Sequence, residues 1–185
     1  MKHIQPPERP NLKDVEKKAY WLGFLLLASG LHVFEAAMPS FGPWFKLGLA
    51  NIITLIVLVL MGERYAIGLA LARIVIGALL LGTLFTPTFM VSLIATLLAT
   101  ASMIIVWRYV PRVSLMGVSL CAALVHMTAQ FWVVGEFIIQ QSALYYLLPP
   151  LLLLSCVTGW LNGALAHYMV AQLHTRDGEK IVGKN

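Results

Sequence analysis

Six long apolar stretches follow one another along the chain, roughly Ala19–Met38, Leu47–Met61, Tyr65–Leu84, Phe89–Tyr109, Val113–Val134 and Leu148–Leu173, each closed by prolines, glycines or charges. About 20 apolar residues in a helix cover a hydrocarbon core about 30 Å thick. The pattern therefore predicts an all-α polytopic integral membrane protein, a six-transmembrane-helix bundle spanning 19–173 between tails at 1–18 and 174–185. The second stretch is short, which predicts either little tilt or a partly re-entrant start within Phe41–Lys46. The first is too long for a signal-peptide core and has no convincing cleavage site, so it reads as a retained helix.

Composition agrees, because 59% hydrophobic and 11% charged residues among 185 leave too little polar surface to coat a water-soluble globule. The few basic residues also carry topology. Lys2, Arg9, Lys13, Lys17 and Lys18 precede the first stretch, Arg64 joins the second and third, Arg108 and Arg112 join the fourth and fifth, and Arg176, Lys180 and Lys184 follow the sixth. These fall on one side, only Lys46 and Arg73 break the pattern, and loops retained in the cytoplasm keep their positive charge. Both termini are accordingly expected to be cytoplasmic, in a multi-pass protein of the bacterial cytoplasmic (inner) membrane. The net charge of +5 does not indicate nucleic-acid binding, since the basic residues sit at helix ends and tails, not along a stripe with stacking aromatics.

Against this background the polar residues inside the apolar stretches stand out, because an ionisable group at membrane depth costs about 2.5–3.5 kcal/mol or more. Glu35 lies about 24 Å along the first helix, near the outer surface, with His32 one turn earlier on the same face. A rigid connection rich in proline and glycine, Met38 to Phe45, then delivers Lys46 to the start of the second helix, with Asn51 just inside it. His126 and Gln130 share a face of the fifth helix at i, i+4, and Glu136 follows at the outer rim. Arg73 sits about 13 Å from the cytoplasmic end of the third helix, too deep for its guanidinium to reach water easily. It needs an acceptor: Glu35, a backbone carbonyl or an anionic ligand.

Each of these residues also has a purely structural reading. Glu35 and Arg73 can form an ion pair that fixes helix register, Lys46 can snorkel to the interface, and His126, Gln130, Asn51 and Asn162 can cross-link helices. Convergence of the whole set on the outer half is what points to a ligand. Small residues give a second kind of signal, because they let helices approach closely in lipid. Gly159 and Gly163 form a GxxxG in the sixth helix, Ala95 and Ala99 a similar face in the fourth, and Ala19 and Gly23 another at the cytoplasmic end of the first. Each suits internal packing or, alternatively, docking to another membrane subunit.

The chain contains no GxxxxGK[ST] phosphate loop, and no catalytic triad or zinc spacing stands out. Its only aspartates, Asp14 and Asp177, lie in the tails, so a pair of aspartate-rich magnesium–diphosphate motifs is ruled out. Cys121 and Cys156 match neither metal-ligand nor disulfide spacing and read as packing residues. No catalytic activity, metal or intrinsic cofactor is expected.

Glu35, Pro39, the run Gly42-Pro43-Trp44-Phe45-Lys46-Leu47-Gly48-Leu49-Ala50-Asn51-Ile52, Arg73-Ile74-Val75-Ile76-Gly77, Gly82-Thr83, and His126 with Gln130 together resemble the Gx transporter family, which also carries the name heptaprenyl diphosphate synthase component I. The resemblance extends from about Leu22 to Ala171, and its most specific part is the Lys-Leu-Gly-Leu-Ala-Asn stretch. That family is similar to the substrate-binding S components of energy-coupling factor vitamin transporters, six-helix bundles that work with a transmembrane coupling subunit and paired ATPases.

The resemblance implies a binding module in the lipid bilayer for a small anionic, zwitterionic or vitamin-like molecule. Arg73 and Lys46 would neutralise it, and Glu35, His32, Asn51, His126 and Gln130 would orient it. Two alternatives stay open. One is a membrane subunit of a flavin- or quinone-linked extracellular electron-transfer system with a flavoprotein partner. The other is an accessory subunit of a prenyl diphosphate synthase.

Overall fold

The computed structural model describes residues 12–37 and 48–182, with the backbone alone at 12–13, 142–144 and 174–182. It is all-helical, with no strand among the described residues. Among the described residues there are six α-helices: α1 (Leu12–Ala37), α2 (Leu49–Met61), α3 (Glu63–Leu80), α4 (Pro87–Tyr109), α5 (Leu115–Val134) and α6 (Leu148–Val182). A π-helical turn at Gly135–Ile139 and a 3-10 helix at Ser142–Leu147 lie between α5 and α6.

Local chemistry sets the boundaries. Thr86 caps α4 by accepting the Phe89 amide at 3.3 Å, with Pro87 in the first turn, where its missing N–H is not needed. Ser114 caps α5 by accepting the Gly117 amide at 3.2 Å. A single residue, Gly62, turns the chain from α2 into α3 at φ 96°, a conformation that favours glycine. Beyond the π-helical turn, the chain leaves α5 through Gln140 at φ 48°.

α2 is the centre of the bundle and touches every other helix. Its residues Ile52 through Leu58 are buried without a break, as expected of a helix hydrophobic on all sides. Leu69, Ala99, Met103, Val118, Ala122 and Ala166 pack in the same core. The outer surface is equally apolar: Leu26, Leu80, Leu153 and Trp160 are each more than half exposed. Such a surface is unfavourable in water and natural in lipid. Four helical stretches, Asp14–Ala36, Pro87–Tyr109, Leu115–Ile139 and Tyr145–Leu173, are long and apolar enough to cross a membrane. The protein is therefore a helical membrane protein. α2, at 13 residues, spans only about 20 Å, and α3 carries Glu63, Arg64 and Arg73.

The two ends of the bundle differ. Lys17, Lys18, Arg64, Arg108 and Arg112 gather where α1 and α3 begin and α2 and α4 finish. There Lys17 lies 4.6 Å over the Tyr65 ring, the Trp21 indole donates to the Tyr65 carbonyl at 3.0 Å, and Arg108 meets Glu63 at 3.4 Å. At the opposite end the connections 81–86 and 135–147 contain no Lys or Arg.

The GxxxG of α6 packs on α5. A Cβ at Gly159 would stand 2.7 Å from the Ala123 Cβ, and one at Gly163 would stand 2.5 Å from the Met116 Cα. Ala95 and Ala99 are likewise fully enclosed. Ala19 and Gly23 differ: Ala19 is exposed and nothing lies within 4 Å of a Cβ at Gly23.

Candidate functional site

Near the end where α1 finishes and α2 begins, helices from across the bundle send polar side chains into one small cavity. α1 contributes His32 and Glu35, and the start of α2 contributes Gly48 and Asn51. Arg73 enters from α3, Ser92 and Thr96 from α4, and His126 from α5. The cavity measures about 20 Å³, room for about one water-sized group. α6 is tied in as well, through Asn162, whose Nδ2 donates to the Gly48 carbonyl at 3.4 Å.

Gly48 adopts φ 72°, which leaves its carbonyl to accept the Asn51 amide at 2.8 Å. That turn exposes the amides of the first turn of α2. Glu35 takes one of them: Leu49 N–H donates to Glu35 Oε1 at 2.6 Å. A carboxylate suits this position, because the start of a helix carries unpaired donors and partial positive charge.

Arg73 is 3% exposed and stands about ten residues, or about 15 Å, along α3. Its Nη2 donates to Asn51 Oδ1 at 2.5 Å, so the side-chain amide of Asn51 supplies an acceptor for the buried guanidinium. Glu35, the carboxylate that lines the same cavity, is the opposite charge nearest to hand among its lining residues. Arg73 Nε is buried and meets no hydrogen-bond partner among the described residues. A buried donor left this way costs about 1–3 kcal/mol, which makes the position costly unless another group completes it.

Of the site residues expected from sequence, His32, Glu35, Asn51, Arg73 and His126 line this one cavity. Gln130 is 2% exposed, one turn beyond His126 on α5, and does not line it; its Oε1 is buried with no partner among the described residues. Lys46 lies outside the described residues. Glu136 is exposed in the π-helical turn. Ser92 and Thr96 were not among the expected residues. With Thr100 they form a buried hydroxyl stripe at i, i+4, i+8, a spacing that the sequence does display. Among the described residues no group of three or more His, Cys, Asp or Glu could hold a metal ion.

Gly77 explains how His32 fits. A Cβ there would stand 2.4 Å from His32 Cδ2, so the imidazole of α1 rests directly on the bare backbone of α3. Replacing Gly77 with Ala is expected to push the ring aside and lower stability by about 1–3 kcal/mol. Thermal unfolding of Gly77→Ala against wild type measures this, and a His32→Ala background should remove most of the cost.

The model of the family described as heptaprenyl diphosphate synthase component I matches residues 24–169. The chain belongs to that family. No curated protein and no solved structure matches it. The matched region of this heptaprenyl diphosphate synthase component I family member begins before His32 and ends beyond Asn162, so it contains every residue of the polar cavity.

Proposed function

We propose that this family member is a six-span membrane subunit that captures a small anionic or zwitterionic molecule at the cavity around Arg73, as an S-component-like module of an uptake system. The supporting observation is the cavity itself: five helices bring polar side chains to one buried point where an arginine keeps an unsatisfied Nε. Intramembrane ionisable groups are expensive and mark ligand or ion sites. At its present volume the cavity receives a water-sized group, so binding a vitamin-sized molecule accompanies separation of the helices around it. α2 and α3 complete six crossings, and the basic end of the bundle, which holds both the start of α1 and the end of α6, faces the cytoplasm of a bacterial cell. Energy for uptake comes from a transmembrane coupling subunit and ATPases, because binding alone shifts an equilibrium only by differential affinity.

The family description favours a second reading, an accessory subunit of a prenyl diphosphate synthase. Purifying the tagged chain from its native membrane and identifying what accompanies it separates the classes. Coupling-factor ATPases are expected. A synthase catalytic subunit whose activity requires this chain establishes the second reading, and a flavoprotein partner points to electron transfer.

A further inference from the structure

The start of α2 holds an anion already, and that anion belongs to the protein. Leu49, the first residue of α2, gives its amide to Glu35 at 2.6 Å, which places the carboxylate where a helix N-terminus attracts negative charge. Arg73 lines the same cavity, is 97% buried by its 3% exposure, and presents the partnerless Nε. A helix start alone would be ordinary; the buried, incompletely bonded guanidinium beside it marks a position built for an anion.

Charge balance then decides how a ligand enters. Among the residues lining the cavity, Arg73 is the fixed cation and Glu35 the carboxylate. A second anion arriving while Glu35 stays in place would set two negative charges against one guanidinium in a medium where charges interact strongly. Exchange avoids that cost, since an anion replacing Glu35 leaves the local charge unchanged.

We infer that Glu35 is a built-in stand-in for the ligand, and that a ligand carboxylate or phosphate binds beside Arg73 by displacing the Glu35 carboxylate from Leu49 N–H. This rests on the binding function proposed above and names its ligand class: a molecule with an exposed carboxylate or phosphate, and not a neutral or cationic one. The exchange also opens the site. Glu35 lies two residues before the end of α1, so releasing it removes a hydrogen bond that ties the end of α1 to the start of α2. Glu35 is thereby a specificity-determining and positioning residue.

Chemical rescue tests this in the full-length protein in lipid nanodiscs. Glu35→Ala removes the stand-in, and sodium formate is the probe, with formamide as neutral control and sodium chloride at equal ionic strength. Formate is expected to raise the unfolding temperature of Glu35→Ala saturably, at a half-saturating concentration at least tenfold below that for wild type. Formamide should do nothing, and adding Arg73→Met should remove the effect. If Glu35→Ala does not fold, Glu35→Gln serves, and formate should bind it at least tenfold more tightly than wild type. Equal formate effects on wild type and variant, or a formamide effect matching that of formate, overturn the exchange. If those results appear while wild type retains a co-purified molecule that Arg73→Met loses, the binding function stands and only the exchange falls.

Discussion

Replacing Arg73 with Met is expected to destabilise the bundle by roughly 3–5 kcal/mol and, on the binding function proposed above, to abolish ligand retention, the largest effect expected of any single substitution here. The variant leaves the half-buried Asn51 Oδ1 without its donor and the buried Glu35 without the cation that shares its cavity. For a chain of this length the loss corresponds to an unfolding temperature lower by about 10 °C, measurable in nanodiscs. Arg73→Lys should recover only part of it, because a lysine supplies a point charge and not a planar fork that reaches Asn51 while offering Nε to the cavity. Pairing Arg73→Met with Glu35→Gln should cost less than the sum of the two single changes, since the uncompensated charge is then gone. Arg73→Met with wild-type stability would show that the guanidinium is not held as described.

Gly163→Val is the second large effect. A Cβ at this position stands 2.5 Å from the Met116 Cα, 3.0 Å from the Ser119 Cβ and 3.2 Å from the Leu115 carbonyl oxygen. Two of those neighbours are backbone, so α5 and α6 must move apart. Overpacking by small groups costs about 1–3 kcal/mol; Gly163→Ala should fall in that range and Gly163→Val above it. The contrast is Gly23→Ala, where nothing lies within 4 Å and the helix gains a better former. Gly23→Ala should leave the unfolding temperature unchanged or raise it slightly. Equal losses from Gly163→Ala and Gly23→Ala would contradict the α5–α6 contact.

The helices were legible in the sequence because, in lipid, hydropathy marks nearly the whole of each element. Where hydropathy stops, so does legibility. α1 begins at Leu12, seven residues before the apolar stretch, because Asp14, Glu16, Lys17 and Lys18 form helix without contributing an apolar signal. α6 runs on to Val182 past the apolar stretch that ends near Leu173. α2 is short, as its apolar stretch indicates, but its enclosure by five neighbours is a fact of tertiary packing that a single stretch of sequence does not carry.

The site follows the same logic. His32, Glu35, Asn51, Arg73 and His126 were visible because strongly polar groups are costly to bury in an apolar segment. Ser92 and Thr96 were not, because hydroxyls disturb hydropathy little and can bond their own helix. Nor was the acceptor of Arg73. Asn51 is 22 positions away in sequence, and Gly48 at φ 72° is what turns the start of α2 toward the cavity.

The central claim is that the cavity around Arg73 holds a small anionic molecule, and quantitative mass spectrometry of what the purified protein retains tests it most directly. Wild type should carry a single carboxylate- or phosphate-bearing compound that Arg73→Met, purified in parallel, retains at least tenfold less. A wild-type protein that emerges empty, or an Arg73→Met variant that keeps the same compound in equal amount, would contradict it.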